Sequence, residues 1–332
     1  MKKQLLIASA LVFLLALGSC KNTKNSDYTF LPESIGPIHS VLVVMEDELW
    51  NAALGDSIRS SFYAPLKGLS LVESRLELQH IPPSIFTGTI RQNRTILFAG
   101  LDSLSYTRIQ SDVYAAPQKV AVIKGRSMDE LVYSFEDHSE EFVEAFRELE
   151  LGEAQKRFTR SLSKDNSFEE VFGVRLQMPS IYQLGKKTED FLWFDRPVNK
   201  GTLNIIAYTL PSGVFTQPTD LVSDLIFRRD AVVSEHIPGP DVPGKTTYML
   251  TENILRPYVK GVNVAGLPAV EMRGMWEMHN YPMAGPFVSY FLNDKKNDRI
   301  LVLEGFVFAP NELKRNLLFE LEAIIKTVEF VE

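Results

Sequence analysis

Apolar and polar residues follow two kinds of spacing in the first half of the chain. Strands are predicted at four short runs, the apolar residues 41–44 and the more mixed residues 74–80, 94–99 and 119–124. Between the first two runs, apolar residues recur every three or four positions over residues 50–63, which predicts an amphipathic helix. The first half is therefore predicted to contain both strands and helices.

A longer helix follows the fourth run. Ser127 and Glu130 have the spacing of a capping box, in which each side chain satisfies the other's backbone N–H, so we predict that the helix begins there. Acidic residues crowd the face opposite the apolar stripe, and this pattern is typical of a solvated surface. The stripe consists of Leu131, Phe135, Phe142, Phe146 and Leu149.

The second half repeats this order of elements. A helix is predicted over residues 220–234, and an amphipathic helix striped by Leu313, Leu317, Leu321, Ile324 and Val328 closes the chain. Strands are predicted at residues 191–194, 203–209, 269–278, 287–292 and 300–308.

Each half thus ends in a strand, a loop and a long amphipathic helix. We predict an α+β fold of two consecutive α+β domains, at residues 39–170 and 175–332. Each domain is expected to have a mainly antiparallel sheet packed against amphipathic helices, an arrangement compatible with an ancient duplication.

The N-terminus has the pattern of a lipoprotein signal. Lys2 and Lys3 precede a mostly apolar stretch at residues 5–17, which is too short to span a bilayer and ends in Leu-Gly-Ser-Cys. This resembles a bacterial lipobox, so residues 1–19 are predicted to be a signal peptide cut between Ser19 and Cys20. Cys20 would then be lipidated, and residues 20–38, rich in polar and turn-forming residues, would form a flexible tether to the bilayer.

Charge and cysteine content narrow the candidate functions. The formal net charge of −7 argues against nucleic-acid binding, because proteins that bind nucleic acid generally present a positively charged surface to the phosphates. Cys20 is the only cysteine, so its lipidation would leave no thiol for catalysis, disulfide formation or metal binding. No cluster of acids follows Cys20, and in lipoproteins of Bacteroidetes type such a cluster directs export to the outer surface. We therefore expect an outer-membrane lipoprotein that faces the periplasm.

The stretch 269–278 offers the candidate site. Strand alternation places Met272 and Trp276 on one face and Glu271, Arg273, Glu277 and His279 on the other. An acid, a cation and a titratable base would then share a ligand-binding or catalytic face. The alternative is an exposed strand face with cross-strand ion pairs.

The same alternation separates Met275 from Met272 and Met278, so the three methionines favour core packing over a copper site, and no metal is expected.

Other motifs are weaker. Residues 239–246 match the phosphate-binding pattern G-x-x-x-x-G-K-T, but Pro240 and Pro243 lack the N–H groups that such a loop directs at phosphates. No nucleotide or other cofactor is expected. No H-E-x-x-H or G-x-S-x-G motif occurs, so enzymatic activity stays undecided.

Ser57 and Ser103 each follow an aspartate and precede an apolar residue, which resembles the O-glycosylation site of Bacteroidetes. Ser57 falls inside a predicted helix, which counts against modification there.

Five segments carry a resemblance to a known family: the lipobox, residues 47–59, residues 274–276, residues 283–287 and residues 304–310. They resemble an uncharacterised family of Bacteroidetes lipoproteins known as a domain of unknown function. Separately, the order of elements in the second half loosely resembles the PsbP/Mog1 type of α/β/α sandwich. The resemblance implies no activity. We expect a membrane-anchored, non-enzymatic module that binds or assembles with an envelope protein or glycan. The alternatives are an envelope hydrolase that uses the Glu271 face and a solute-binding lipoprotein with its ligand in an inter-domain cleft.

Overall fold

Five strands in the first part of the chain form one sheet. They are β1 (Ser40–Val44), β2 (Glu77–Ile81), β3 (Thr95–Leu101), β4 (Tyr106–Ser111) and β5 (Lys119–Gly125). Their order is β2-β1-β3-β5-β4. The computed structural model describes residues 30–69, 73–215, 220–310 and 312–331, and residues 33–332 form one compact unit. The predicted lipidation and cleavage positions, Cys20 and Ser19, lie outside the described residues.

The first sheet differs from the expected antiparallel arrangement. β1 pairs in parallel with β2 and β3, β3 pairs in parallel with β5, and only the β4–β5 pairing within this sheet is antiparallel. The chain returns from β1 to the start of β2 through the helices α1 (Asp47–Trp50) and α2 (Ala53–Phe62). Such a crossover makes neighbouring strands parallel, and apolar periodicity alone does not reveal it.

The long helix α3 (Met128–Phe158) covers the same face of this sheet as α1 and α2. It begins where predicted, because the Ser127 hydroxyl accepts a hydrogen bond from the backbone N–H of Glu130. Phe135, Phe142 and Phe146 are fully buried beneath it, against Val41 and Leu97 of the strands. Four of the five residues of the predicted stripe, Leu131, Phe135, Phe142 and Phe146, therefore belong to this core, whereas Leu149 is half-buried and lies outside it.

The second part of the chain builds an eight-stranded sheet, which is antiparallel as predicted. Its eight strands are β7 (Gln183–Lys187), β8 (Phe191–Val198), β9 (Gly201–Pro211), β10 (Met249–Thr251), β11 (Tyr258–Val264), β12 (Leu267–Met278), β13 (Tyr281–Asp294) and β14 (Arg299–Phe308). Their main order is β10-β12-β13-β14-β9-β8-β7, and β11 pairs with β12 outside this path. A short helix α4 (Ser167–Phe172) precedes the sheet, and a small sheet pairs β6 (Val174–Arg175) with β15 (Glu329–Phe330).

Two helices bury opposite faces of this second sheet. The helix α5 (Leu221–His236) covers the face with Met272 and Trp276, and α6 (Arg315–Ile325) covers the face with Met275 and Tyr290. The middle strands are consequently buried on both sides. The α+β class predicted from the sequence is confirmed, while the division into domains at residues 170–175 stays a prediction.

The helix α6 also contacts the first part of the chain. Leu151 and Ala154 of α3 pack against Phe319 and Ala323 of α6. The Glu73 carboxylate accepts hydrogen bonds from the backbone N–H groups of Lys314, at 2.8 Å, and Arg315, at 2.7 Å. The packing of α3 against α6 holds α3 beside the second sheet. None of the helices in the described ranges is both long and apolar enough to cross a membrane.

Candidate ligand-binding cleft

The strand β12 separates the four predicted site residues into two groups. Glu271 and Arg273 are buried side by side, with Arg273 Nε 2.6 Å from Glu271 Oε1. Glu277 lies four residues beyond Arg273 along β12 and is only half-buried, and the exposed His279, which follows the strand, stacks its ring on Tyr248 with centroids 4.8 Å apart. The structure therefore brings Glu271 and Arg273 together and leaves Glu277 and His279 outside their cluster.

Glu271 and Arg273 belong to a buried network of charges that extends to the helices α3 and α6. Arg273 Nη2 donates to Glu322 Oε2 of α6 at 2.8 Å, and Arg147 of α3 donates to the same oxygen. The Tyr290 hydroxyl donates to Glu271 Oε2 at 3.0 Å. Three elements that are distant in sequence thus meet at two carboxylates.

The cations of this network keep both carboxylates ionised. Burial alone would raise the pKa of Glu322, but the neighbouring Arg147, Arg273 and Lys326 outweigh it and hold the pKa well below its usual range. For Glu271, burial is likewise outweighed, mainly by Arg273, so its pKa is lowered. Neither group holds a proton near neutral pH, so neither is suited to act as a general acid.

A cleft opens above this network, between α3 and β11. Its inner part is a pocket of about 120 Å³ that reaches Glu271 and Arg273, and its outer part is a pocket of about 470 Å³. Glu144 of α3 and Lys260 of β11 line both pockets, so the two pockets are direct neighbours. Lys260 is brought here because β11 pairs with β12 in the register that sets Lys260 opposite Glu271.

The walls of the cleft carry charges of both signs. The α3 wall presents Glu144 and Glu148, and the opposite wall presents Lys260, with Lys326 at the end of α6. Within the described part of the chain, Glu144, Glu148 and Lys260 form no ion pair. At the mouth of the inner pocket, by contrast, Arg75 donates twice to Glu140, at 2.7 Å each. Glu144, Glu148 and Lys260 are therefore free to pair with a ligand, whereas Lys326 is already paired with Glu322, with 3.0 Å between Lys326 Nζ and Glu322 Oε1, and the charges of the floor neutralise one another.

Sequence reasoning missed the wall residues Glu144, Glu148 and Lys260. Glu144 and Glu148 lie on the acidic face of α3, which was interpreted as a solvated surface, and Lys260 lies outside the predicted strands. One signal was present: Gly152 interrupts the long helix, and a glycine inside a helix is unfavourable unless space or function requires it. Gly152 lines the outer pocket, and a Cβ atom added there would meet nothing within 4 Å.

The two serines proposed for glycosylation have different surroundings. Ser57 is half-buried in α2, and its hydroxyl donates to Glu136 at 2.7 Å. Ser103 is exposed in the bend between β3 and β4, beside Asp102. Modification of either serine stays a prediction. Among the residues that the structure describes, no group of three or more His, Cys, Asp or Glu side chains could hold a metal ion.

Comparisons with known proteins identify two matching regions. The family model described as Domain of unknown function (DUF4837) matches residues 161–327. A second model, described as Domain of unknown function (DUF8532), matches residues 34–159. The Glu271 face lies in the first region and the α3 wall of the cleft lies in the second. No curated protein matches the chain.

Solved structures offer only a faint likeness. The Ran-binding protein Mog1p of Saccharomyces cerevisiae is 9% identical, with a TM-score of 0.32, over 48% of this chain and 91% of Mog1p. A mutant of protein Mog1 is also 9% identical, with a TM-score of 0.30, over 48% of this chain and 92% of that protein. At such TM-scores the likeness carries no argument about function.

Proposed function

Because the chain belongs to the family described as Domain of unknown function (DUF4837), a description that includes no activity, we propose a function from the cleft itself. The protein is a lipid-anchored envelope module that binds a small dipolar ligand, such as a peptide fragment, without catalysing a reaction on it. The carboxylate of the ligand would face Lys260, and its ammonium group would face Glu144 and Glu148.

The observation that carries this proposal is the contrast between floor and walls. The buried charges of the floor are paired with one another, whereas Glu144 and Glu148 on one wall and Lys260 on the other form no ion pair among the described residues. A pocket of about 470 Å³ also falls within the size range of small-ligand sites. A ligand that carries both signs of charge would satisfy both walls at once.

The same geometry argues against the hydrolase alternative. Hydrolysis by an acid–base pair needs a group that exchanges its proton near the operating pH within reach of the substrate. Glu271 and Glu322 are held ionised by arginines, and His279 stacks on Tyr248 outside the Glu271 cluster. The cleft therefore supports binding better than proton transfer.

The anchor is the second part of the proposal. The lipobox-like sequence before Cys20 supports lipid attachment, and the absence of acids directly after it supports the periplasmic face of the outer membrane. Intact mass spectrometry of the mature protein should show an acylated N-terminal cysteine. A Cys20→Ala variant should not be acylated, and it should leave the membrane fraction or stay uncleaved. An unmodified N-terminus on the wild-type protein would disprove the anchor.

Gly152 allows a direct test of the cleft. Titration calorimetry with L-alanyl-L-alanine should detect binding to the wild-type protein and to Gly152→Ala, because alanine adds one carbon into open space. Gly152→Trp fills the outer pocket and should abolish binding. Gly261→Trp is the matched control, since Gly261 also has open space around it but does not line the cleft.

The charge requirement is tested with a neutral analogue and one wall variant. N-acetyl-alanyl-alanine amide keeps the size of the peptide and removes both charges, so we expect binding about tenfold weaker or weaker still. Lys260→Gln should weaken binding of the charged dipeptide by a similar factor. Equal binding of the charged and neutral peptides, or undiminished binding by Gly152→Trp, would disprove the proposed site.

A further inference from the structure

A second crevice, remote from the cleft in the fold, lies at the carboxyl ends of the parallel strands. The neighbouring strands β1 and β3 end at the same edge of the first sheet, and the chain leaves them in opposite directions. After β1 it runs to β2 at one side of the sheet, and after β3 it runs to β4 at the other. In open sheets with parallel strands, such a reversal point creates a crevice that commonly receives a ligand.

This crevice is a pocket of about 390 Å³ with an apolar floor. Leu49, Pro83 and Phe98 line it, and Leu101 extends it to the surface with 57% of its side chain exposed. Gly100 keeps the space open between them. A Cβ atom at Gly100 would come within 3.1 Å of Lys124 Nζ, so a larger side chain would displace that lysine or fill the pocket.

The rim of the crevice is acidic. Glu46 and Glu48 line it, and neither forms an ion pair with any other residue in the described ranges. Between them in sequence, Asp47 is directed to His80, with 3.9 Å between Asp47 Oδ1 and His80 Nδ1. Lys124 is already engaged, because its ammonium group lies 4.9 Å from the centre of the Phe98 ring and its charge acts on Asp102.

We propose that this crevice binds an amphipathic cation, a ligand with an apolar body and an ammonium or guanidinium group. The apolar body would lie on Leu49, Pro83 and Phe98, and the cation would pair with Glu46 and Glu48. Glu46 and Glu48 are exposed, so each charge pair adds only modestly to the contact with the apolar floor. The ligand is either a free amine or a basic side chain beside an apolar one in a peptide.

Methionine-methyl NMR on the full chain tests the proposal. Met45 is buried directly between β1 and Glu46, and Met272 is buried in the second sheet, so the two methyl groups report on the crevice and on a remote position. Phenethylamine is the free-amine probe, and acetyl-Leu-Arg-Leu-amide is the peptide probe. We expect at least one of them to shift the Met45 signal saturably without shifting Met272. If phenethylamine binds, the neutral analogue 2-phenylethanol and the anionic analogue 3-phenylpropionate should each bind at least about tenfold more weakly than phenethylamine does.

Variants distinguish the crevice from binding elsewhere. The double variant Glu46→Gln with Glu48→Gln changes two exposed side chains, so it should fold normally and weaken binding about tenfold. Glu141→Gln with Glu189→Gln removes the same charge elsewhere and should bind as the wild type does. Gly100→Leu should abolish binding by filling the pocket. Binding of phenethylamine alone assigns a free amine, and binding of the peptide alone assigns a basic segment. Failure of both probes, or equal binding by the Glu46/Glu48 variant, would overturn the proposal.

Discussion

His39 is a buried imidazole in surroundings that favour its neutral form. Its Nδ1 lies 3.0 Å from Asn316 Oδ1, and its ring packs edge-on against Phe319. Burial, and next the charge of Arg315, lower its pKa from 6.5 to about 4, although Glu322 partly opposes them. His39 therefore bears on how stability responds to acid.

A histidine with a lowered pKa in the folded state stabilises that state above its unfolded pKa of about 6.5. This stability is lost as the pH falls from 6.5 towards 4, because the unfolded state then binds the proton first. We expect a loss of up to about 3 kcal/mol from this residue. His39→Asn is a suitable variant, since His39 has a φ of 61° and asparagine tolerates that conformation. Urea unfolding at several pH values should show a smaller loss in the variant, and equal slopes would contradict the prediction.

Glu150 of α3 gives the opposite dependence on pH. Its Oε2 accepts from Arg94 Nε at 3.0 Å, whereas its Oε1 is buried and has no hydrogen-bond partner among the described atoms. Burial raises its pKa to about 7 despite the charge of Arg94. Its contribution to stability is thus complete below about pH 4.5 and is lost as the pH rises through about 7.

Glu150→Gln should remove this dependence because glutamine does not titrate. Relative to the variant, the wild-type protein should lose up to about 3 kcal/mol of unfolding free energy between pH 4.5 and pH 7. Denaturant unfolding of both proteins across this range measures the difference. A difference that does not change with pH would show that Glu150 is ionised throughout.

At the scale of single elements, α3 contains an avoidable cost. Gly152 lies in the interior of this helix, where glycine is less favourable than alanine by about 0.5–1 kcal/mol. Because an added Cβ meets nothing within 4 Å, Gly152→Ala should raise the unfolding free energy by that amount. Gly100→Ala is an informative comparison, since its Cβ would approach Lys124 Nζ at 3.1 Å, so a smaller gain or a loss is expected there. Denaturant unfolding of both variants provides the measurement.

The elements themselves were largely predictable, because local patterns determine them. Ser127 fixes the start of α3, and the alternation in β12 correctly separates Trp276, beneath α5, from Arg273, which faces α6. Two features depend on distant contacts. The parallel pairing of β1 with β3 follows from the path of the crossovers, and the separation of Glu271 and Arg273 from Glu277 and His279 follows from the position of α6, whose Glu322 meets Arg273.

The cleft was beyond prediction for the same reason. Glu144 and Lys260 lie on elements far apart in sequence, and each is an ordinary surface charge in its own segment. Only the packing of α3 and the pairing of β11 with β12 bring both into one cleft. Periodicity reports which face of an element is buried, but it carries no information on which distant element covers that face.

At the scale of the whole molecule, α6 joins the two sheets energetically. Beyond the Glu73 contact at its start, its Glu322 binds Arg147 of α3 and Arg273 of β12, and Gln155 of α3 donates to the Ala323 carbonyl at 3.1 Å. Unfolding of either part would leave buried charges of the other part without their ionic partners. We therefore expect the wild-type protein to unfold in one cooperative transition, even though its two sheets have separate cores.

Glu322→Gln tests this coupling. The substitution removes the charge that pairs with the half-buried Arg147 and the buried Arg273, so that Arg273 keeps only Glu271 as an ionic partner, and loss of a buried ionic partner commonly costs about 3–5 kcal/mol. The unfolding free energy should fall by about that amount. The transition should also separate when it is followed by two probes, the fluorescence of Trp50 in the first part and that of Trp276 in the second, each kept as a single tryptophan by Phe replacements elsewhere. Glu189→Gln, at an exposed position between β7 and β8, should leave one transition of nearly unchanged stability. If the Glu322 variant also unfolds in one transition with little loss, the two parts must be coupled mainly by the apolar contact of Phe319 and Ala323 with α3.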